Sequence, residues 1–517
     1  MASKTLFQSF FGRLIPAATT QNEENAPAYA FSPEQALAQY AATGCMNRTF
    51  YASAEEQLDA VLKLCKRLGP EFIARTAIHA RESGCMKDMP ALLVAVLAVR
   101  DPELLERVYP RVIDNGRMLR NFVQIVRSGV TGRKSLGTLP KRLVRQWLEA
   151  RPDETIFRES VGNDPSLADI VKMVHPKPAT AEREALLGWL IGRKVDAEAL
   201  PEIVKAFEAF KADPSGEVPD VPFQMLTALE LGRREWTAIA RRAGWTMTRM
   251  NLNTFVRHGV FEEKELVRIV ADRLRDPQAI AQARAFPYQL LAAFKAADDG
   301  VPAEIREALQ DAMEIATANV PKIDGKVFVF PDVSGSMRSP ATGFRKGATS
   351  AVQCVDIAAL VAASVVRKNP SAGVIPFEQD VVKLKLNPRD SVMTNAQKLA
   401  SVGGGGTNCS APLAALNRKR INADLVIYVS DNESWVDAGA GRGTATMREW
   451  GEFKRRNPNA RMVCIDIQPY GTTQAAERDD ILNIGGFSDR VFEVVAEFAA
   501  GNLSSGHWVD VINRIEL

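Results

Sequence analysis

Helical spacing of apolar residues dominates the chain from about Ala30 to Val320 and constrains its fold more than any other feature. In this region apolar side chains recur at positions i, i+3, i+4 and i+7, and strand-like alternation is scarce. A run of roughly 290 residues of this kind predicts stacked helix pairs in the manner of HEAT repeats, at ~40–47 residues per pair. Because no clean sequence period is visible, an irregular all-α domain is the alternative. The clearest helices are expected at Glu55–Leu68, Ala91–Arg100, Leu104–Ile113 and Ala181–Ile191, with candidate amino-terminal caps at Ser32-Pro33, Ser53, Asp101-Pro102 and Asp164-Pro165.

The pattern changes after Pro321, where short apolar runs alternate with helical stretches. Strands are predicted at Lys326–Phe330, Ala372–Phe377, Asp424–Val429, Arg461–Ile467 and Arg490–Val495. Helices are predicted at Thr349–Arg367, Met393–Ser401, Ala411–Asn417, Thr446–Arg456 and His507–Ile515. Apolar strands that alternate with helices predict a parallel sheet covered on both faces. We therefore divide the chain into a polar leader (residues 1–28), a helical-repeat domain (29–320) and an α/β domain (321–517).

Composition places the chain among globular proteins, because 46% of its 517 residues are hydrophobic and 25% are charged. No apolar run approaches the ~20 residues of a membrane helix. The leader's apolar stretch is broken by Gln8 and Arg13, which is atypical of a secretion signal, so a cytoplasmic location is expected. The cysteines form no CxxC pair and are expected to be small buried side chains in a reducing compartment rather than zinc ligands; they are Cys45, Cys65, Cys85, Cys354, Cys409 and Cys464.

A metal site is predicted from polar residues that follow two of the predicted strands. The sequence Asp332-Val333-Ser334-Gly335-Ser336 comes directly after the first strand, a four-glycine run delivers Thr407, and Asp431 follows the strand Asp424–Val429. Open α/β sheets bind ligands at this carboxyl edge. Two carboxylates and three hydroxyls suit a hard cation such as Mg²⁺, and the set offers neither His nor Cys for zinc or copper. The predicted metal ligands are Asp332, Ser334, Ser336, Thr407 and Asp431.

That set of five closely resembles the metal-ion-dependent adhesion site of von Willebrand factor A domains, at all five positions. In such a site a coordination position stays open for an acidic group of a partner. Hydrolytic Mg²⁺ sites usually carry more carboxylates, often paired for two metals. Glu433 and Asp437 follow Asp431 but have no role in the motif. Adhesion is therefore favoured over catalysis, and a domain that keeps these residues without binding metal is the alternative.

The segment from Gly116 to Leu148 contains no Asp or Glu, although the net charge of the whole chain is only +3. Eight Arg and Lys side chains lie within it, and Asn121 and Gln124 add hydrogen-bonding groups suited to phosphates or base edges. A solvated surface usually mixes charges of both signs, so this stretch favours binding of a polyanion. The candidate RNA-binding residues are Arg117, Arg120, Asn121, Gln124, Arg127, Arg133, Lys134, Lys141, Arg142, Lys172 and His175.

The combination of this basic helical region and an adhesion-site domain resembles the TROVE family, which includes the Ro autoantigen and its bacterial Ro/Rsr relatives. The likeness extends from about Tyr29 to Leu517 and rests on the segments Gly116–Gly129, Arg133–Leu148, Leu167–Pro178, Arg234–Asn251, Ala285–Phe294 and Asp332–Met337. The resemblance implies a ring of HEAT-like helical repeats followed by a doubly wound, Rossmann-like von Willebrand factor A domain.

The resemblance also implies a function. Single-stranded 3′ ends of misfolded or unprocessed small RNAs would enter a positively charged ring, and Y RNA would bind outside it. His175, together with Lys172, is similar to a Y RNA-contacting histidine of the family, although the flanking residues depart from the animal pattern. The implied assembly is a ribonucleoprotein with one copy of this chain and an exoribonuclease partner such as polynucleotide phosphorylase.

Two other function classes compete with RNA binding. A metal-dependent protein–protein adhesion module would account for the metal motif, but it does not need an acid-free basic stretch. A metal nuclease would cut RNA in the presence of Mg²⁺. The sequence contains neither a Walker A motif nor a nucleophile elbow, so we expect a protein without enzyme activity.

Overall fold

The computed structural model describes residues 17–43, 48–49, 51–283, 287–317, 320–344, 352–436, 443–486, 490–503 and 506–517. These residues form two compact units. One combines the described parts of Met1–Leu64 and Ala271–Val511, and the other combines Cys65–Val270 with Ile512–Leu517. The predicted domain boundaries at residues 28 and 320 were placed where the sequence pattern changes, whereas these two units are defined by compactness. The predicted boundaries therefore stay a prediction.

The expectation of a helical region is confirmed, since helix follows helix up to Ala316. Three-residue 3₁₀ turns lie at Ala197–Ala199 and Val260–Glu262. The helices are α1 (Pro33–Thr43), α2 (Ala54–Arg67), α3 (Pro70–Glu82), α4 (Asp88–Arg100), α5 (Pro102–Val112), α6 (Gly116–Arg127), α7 (Thr138–Glu149), α8 (Asp153–Arg158), α9 (Leu167–Val174), α10 (Ala181–Leu190), α11 (Glu202–Ala212), α12 (Phe223–Leu226), α13 (Arg233–Arg242), α14 (Trp245–Met250), α15 (Leu252–Arg257), α16 (Lys264–Arg275), α17 (Pro277–Gln282), α18 (Pro287–Ala296) and α19 (Ala303–Ala316).

Helix starts follow the predicted caps, with one exception. The side chains of Ser32, Ser53 and Asp101 each accept a backbone N–H three residues later, as helix caps do. The predicted cap at Asp164-Pro165 is wrong. Helix α9 instead begins after Ser166, whose hydroxyl accepts the N–H of Asp169 while the Asp169 carboxylate accepts the N–H of Ser166. This reciprocal pair satisfies two backbone donors at the start of the helix.

Packing in the second unit starts from the apolar helix α4, where every residue from Met89 to Ala98 is buried. Helices α3, α5 and α6 pack against it. The Tyr109 and Phe122 rings meet edge to face with centroids 5.2 Å apart, and the Trp147 indole N–H donates to the carbonyl of Ile113 at 2.8 Å. A helix that is apolar all round can thus be enclosed by amphipathic neighbours.

The α/β region contains the predicted parallel sheet, in the order β4-β3-β5-β6-β8. A 3₁₀ turn at Ser336–Arg338 follows the first of its strands. The strands of the chain are β1 (Thr20–Gln21), β2 (Pro27–Ala30), β3 (Val327–Pro331), β4 (Gly373–Val374), β5 (Leu425–Ser430), β6 (Arg461–Asp466), β7 (Thr472–Thr473) and β8 (Ile481–Gly485). The helices of this region are α20 (Cys354–Lys368), α21 (Val392–Ala400), α22 (Ala411–Arg418), α23 (Ala445–Arg456), α24 (Arg490–Ala499) and α25 (His507–Asn513).

Two predictions about the last third of this region are wrong. Arg490–Val495, predicted as a strand because of its β-branched residues, lies in helix α24. There Val491, Val494, Val495 and Phe498 are buried at helical spacing. The strand β8 was missed, because Asn483 and Gly485 interrupt its apolar character.

The core of the α/β region lies on both faces of the sheet. On one face α20 is buried from Cys354 to Val366 and contacts β3 and β5. On the other, Trp450 and Phe453 of α23 stack at 5.7 Å within a cluster that includes Tyr428. No helix among the described residues has the length and apolar character needed to cross a membrane.

Cysteine burial follows the expectation in most of the described residues. Cys65, Cys354, Cys409 and Cys464 are buried, whereas Cys85 is partly exposed. Cys45 lies outside the described residues.

Part of the predicted polar leader forms a small antiparallel sheet, in the order β1-β2-β7. Tyr29 pairs with Thr473 and Ala30 with Thr472. This pairing ties the amino-terminal residues to the loop between β6 and β8, close to the carboxyl edge of the main sheet.

Candidate functional site

The carboxyl edge of the main sheet brings the predicted metal ligands together. Strands β3 and β5 are adjacent and parallel, with Pro331 opposite Val429, so Asp332 and Asp431 leave the sheet at the same end. The N–H of Asp332 also donates to the carbonyl of Val429 at 2.9 Å, which fixes the start of the loop.

Hydrogen bonds orient the side chains of this loop. Asp332 accepts the Ser334 N–H at 2.8 Å through Oδ1 and the Ser430 hydroxyl at 2.6 Å through Oδ2. The hydroxyl oxygens of Ser334 and Ser336 lie 3.3 Å apart, and the Ser336 hydroxyl donates to Asp431. Four of the five predicted ligands are therefore linked by short side-chain contacts.

Backbone hydrogen bonds hold the glycine run, and Thr407 that follows it, at the same edge of the sheet. The Gly335 N–H donates to the Gly405 carbonyl at 2.7 Å, and the Thr407 carbonyl accepts the Trp435 N–H at 3.1 Å. Gly403 has a φ of +81°, and a Cβ at this position would lie 2.3 Å from the Val333 carbonyl oxygen. Glycine is required here because the two loops approach too closely for any side chain.

Four buried carboxyl groups lie at this edge of the sheet. Burial, followed by the nearby charge of Asp431, raises the pKa of Asp332 to about 7. Burial also raises the pKa values of Asp431, Glu433 and Asp466. None of these four carboxylates forms a salt bridge with any residue that the structure describes. Buried carboxylates without a cationic partner are costly unless they bind a proton or a cation.

The donor set fits a hard divalent cation. Two buried carboxylates and two adjacent hydroxyls offer only oxygen, and the charge of Mg²⁺ would offset the repulsion between Asp332 and Asp431. Assignment of these residues as metal ligands stays a prediction.

Several residues at this edge were missed or given no role. Ser430 bonds Asp332, and the Glu378 carboxylate accepts the Gly405 N–H at 2.7 Å, which holds the glycine run. Glu433, noted in the sequence without a function, accepts the N–H of Glu23 at 3.0 Å. Only Ser430, which directly precedes Asp431, could have been found from the motif. Asp437 lies outside the described residues.

The basic stretch begins on the amphipathic helix α6. Its buried face consists of Met118, Leu119, Phe122, Val123 and Val126, and Asn115 caps its start. The predicted RNA-binding residues of α6 lie within the opposite arc, as helical spacing requires.

Some of the predicted RNA-binding residues contact the protein itself. Their guanidinium or amide groups bond other parts of the same unit, and for Arg120 burial lowers the pKa. The contacts are Arg120 to the Glu159 carbonyl at 2.8 Å, Asn121 to Asp88 at 2.9 Å, Arg133 to the Ala98 carbonyl at 2.8 Å, and Arg142 to Glu106 at 2.7 Å. The expectation that the basic charge of this stretch is wholly uncompensated is therefore wrong for Arg142.

The other members are accessible. Arg117, Gln124, Arg127, Lys134 and Lys172 are exposed, and we call these five residues the basic surface. Gln124, Arg127 and Lys172 line an open groove of about 800 Å³ between α6 and α9, together with Asp164 and Asp169. Lys134 lies beside Gly129, just beyond the end of α6.

Lys141 and His175 flank the basic surface. Lys141 is half-buried. His175 is exposed and ends α9 in the left-handed conformation, with φ of 51°. Its N–H donates to the Val171 carbonyl at 2.9 Å, so its backbone is fixed while its ring faces solvent.

Comparison with known proteins agrees with this architecture. Residues 326–499 match the family model described as the Ro60 vWA domain. The chain is also 26% identical over 510 residues to the RNA-binding protein RO60 of Deinococcus radiodurans, a match that covers 92% of this chain and 94% of the relative. The chain is thus similar to Ro proteins along most of its length. This similarity confirms the resemblance predicted from the basic helical segments and the metal motif.

A solved structure extends this similarity to the fold. The crystal structure of the Deinococcus radiodurans RO (RSR) protein matches with a TM-score of 0.63 and 22% sequence identity, covering 91% of this chain and 100% of that one. The predicted order of a helical region followed by a von Willebrand factor A domain is confirmed. Closure of the helices into a ring stays a prediction.

Proposed function

We propose that this chain binds RNA through its basic surface and holds the RNA without cutting it. The observation that carries the proposal is the exposure of Arg127, Lys134 and Lys172 around the end of α6 and along α9. Guanidinium and ammonium groups in such an arrangement attract phosphates. The similarity to a relative named as an RNA-binding protein supports the same conclusion.

The finer features of the proposal come from the family resemblance. We propose that the ligands are single-stranded 3′ ends of misfolded or unprocessed small RNAs and structured Y RNA, within a cytoplasmic ribonucleoprotein that includes an exoribonuclease. The exposure of Lys172 and His175 at the end of the short helix α9 is consistent with this proposal, since both side chains are accessible to an RNA.

The test is a salt series of binding between the full-length protein and a labelled single-stranded RNA with a free 3′ tail. The variant changes Arg127, Lys134 and Lys172 to Glu. Wild-type affinity should fall steeply with salt, and the variant should bind about tenfold more weakly or worse, with a shallower salt slope.

A control variant changes Lys66, Arg193 and Lys194, exposed residues of the same unit, to Glu. It alters the net charge equally but should leave binding near the wild-type level. Equal losses in both variants would show a general charge effect and would remove the basic surface from the site.

We also propose that the carboxyl edge of the sheet binds Mg²⁺ and serves metal-dependent adhesion to a protein partner. The linked oxygens of Asp332, Ser334, Ser336 and Asp431 carry this second proposal. Calorimetric titration with Mg²⁺ should show one site in the wild type and none in Asp332→Ala, while RNA affinity stays unchanged. Equal Mg²⁺ binding by both proteins would contradict the assignment.

A further inference from the structure

A groove of about 750 Å³ lies at the amino edge of the main sheet, at the opposite end of the strands from the predicted metal ligands. Three cationic side chains line it. Arg461 is the first residue of β6, Arg478 lies just before β8, and Lys454 belongs to the last turn of α23. Because β6 and β8 are adjacent and parallel, these side chains come together at one end of the sheet.

One carboxylate, that of Asp480, holds two of these cations. Arg478 donates to it through Nε at 2.9 Å and through Nη2 at 3.1 Å. The Lys454 ammonium lies 3.4 Å from it, and the Trp450 indole N–H donates to it at 3.1 Å. The Lys454 ammonium also donates to the Ala460 carbonyl at 2.9 Å. Asp480 thus fixes Arg478 and Lys454 beside the groove.

Arg461 is held differently, without an acidic partner. It forms no salt bridge with any residue in the described part of the chain. Its guanidinium lies over the Phe498 ring, 5.0 Å from the ring centroid, and Nη1 donates to the Asp479 carbonyl at 3.4 Å. These contacts orient the planar group but leave its charge unneutralised. The side chain is also partly exposed, so a ligand in the groove can reach it.

Positive charge exceeds negative charge among the residues that line the groove. Its charged lining residues are three cations and two acids, namely Arg461, Lys454, Arg478, Asp479 and Asp480. Burial lowers the pKa of Lys454; the charge of Asp480 opposes this shift, and the charges of Arg478 and Arg461 add to it. Like charges are therefore close together here, and an anion in the groove would reduce their repulsion.

We propose that this groove binds a phosphate group, with Arg461 as the main hydrogen-bond donor. A guanidinium can donate two parallel hydrogen bonds to phosphate oxygens, a geometry that an ammonium group does not offer. The exposed Asn459 also lines the groove and supplies an amide donor. Lys454 and Arg478 attract the phosphate through their charge, since Asp480 already holds both of them. The phosphate belongs either to an RNA chain or to a small free molecule.

The first experiment titrates the full-length protein with inorganic phosphate in a calorimeter at constant ionic strength. Arg461→Gln should weaken binding about tenfold or more, because it removes hydrogen bonds between charged groups. Asp479→Asn, at an exposed position, should strengthen binding by up to about fivefold, because it removes a repelling carboxylate. The matched control Arg418→Gln changes an exposed arginine of the same unit outside the groove and should bind as the wild type.

A second titration distinguishes the two sources of phosphate. It uses single-stranded RNA and a protein in which Arg127, Lys134 and Lys172 of the basic surface are changed to Glu. If adding Arg461→Gln weakens the remaining RNA binding, while adding Arg418→Gln does not, the ligand is a phosphate of RNA. If only the binding of inorganic phosphate responds to Arg461→Gln, the ligand is a small phosphate compound.

The proposal fails if Arg461→Gln changes the binding of neither inorganic phosphate nor RNA. It also fails if Arg461→Gln and Arg418→Gln weaken binding equally, because the effect would then be one of general charge. Circular dichroism shows whether Arg461→Gln is folded. If that variant does not fold, Asp479→Asn decides the matter, and binding of both ligands that is unchanged or weaker in Asp479→Asn would overturn the proposal.

Discussion

The hydroxyl of Ser430, the last residue of β5, donates a hydrogen bond of 2.6 Å to Oδ2 of Asp332, just beyond the end of β3. Both side chains are buried. The bond joins neighbouring strands at the point where the predicted metal ligands begin, and it fixes one oxygen of Asp332 so that the carboxylate cannot rotate freely.

Replacing Ser430 with alanine should therefore reduce stability. At a pH above about 7, where Asp332 is charged, we expect the free energy of unfolding to fall by ~1.5–3 kcal/mol, the range for a hydrogen bond to a charged group. Urea unfolding measures this change. Ser364→Ala is the control, because the buried Ser364 hydroxyl lacks a hydrogen-bond partner among the described residues. Equal losses in both variants would show that the bond to Asp332 contributes nothing.

Mg²⁺ affinity should depend on pH through Asp332. Its carboxyl group, with a pKa raised to about 7, must lose its proton before it can bind a cation. Affinity should therefore be highest above that pH and decline as the pH falls through it. Titrations in two buffers with different heats of ionisation should show proton release at about pH 7. Affinity that does not change between about pH 6 and pH 8 would contradict the role of Asp332.

The same raised pKa has a consequence for the metal-free protein. The folded state holds the Asp332 proton more tightly than the unfolded chain, where the pKa is near 3.8. The contribution of Asp332 to the free energy of unfolding should therefore decline as the pH rises from about 4 to about 7, and then level off. Asp332→Asn should remove this part of the pH dependence of unfolding. If the free energy of unfolding of the variant changes with pH as it does in the wild type, the raised pKa of Asp332 is contradicted.

Two arginines of α6 should respond differently to substitution. Arg120→Ala removes the bond to the Glu159 carbonyl and should cost ~1–3 kcal/mol of unfolding free energy. Arg117→Ala, at an exposed position of the same helix, should stay within ~0.5 kcal/mol of the wild type. Thermal or urea unfolding distinguishes them. If an Arg120 variant loses RNA binding, its stability must therefore be measured as well. Only a variant that is still folded would show that Arg120 contacts RNA.

Purified protein should leave RNA intact. Labelled single-stranded RNA incubated with the full-length protein and Mg²⁺ should show the same length distribution as RNA alone. A two-metal hydrolytic site needs several carboxylates around its metals, and the described residues contain no group of three or more His, Cys, Asp or Glu side chains that could hold a metal ion. The comparison uses Asp332→Ala prepared in parallel. Cleavage by the wild type that disappears in this variant would establish a nuclease.

Much of the fold could be predicted from local patterns. The spacing of apolar residues predicted helices such as α2 and α5 to within a few residues, and the sheet followed from apolar runs such as Leu425–Ser430. Arg490–Val495 was mispredicted because β-branched residues favour strands, while burial at helical spacing decided the outcome. The strand β8 contains Asn483, whose side chain bonds Thr473 and the Ala475 carbonyl, a long-range arrangement that no local pattern reveals.

The residues of the candidate sites were likewise predictable only where a local sequence pattern marks them. The motif gave Asp332, Ser334, Ser336, Thr407 and Asp431, because strand ends and a glycine run mark them in the sequence. It could not give Tyr51, whose hydroxyl hydrogen-bonds with Ser336 through a tertiary contact. On the basic stretch the charged residues could be predicted, but their partners could not. Arg142 pairs with Glu106, 36 residues away, and no local pattern predicts that pair.

The pairing of β2 with β7 has a consequence for how the molecule is made. Tyr29 finds its partner, Thr473, only when nearly the whole polypeptide has left the ribosome. Until then one edge of β2 lacks its neighbouring strand, and the last steps of folding must close a loop of several hundred residues. Such late, non-local contacts slow folding and expose unpaired strand edges to other nascent chains.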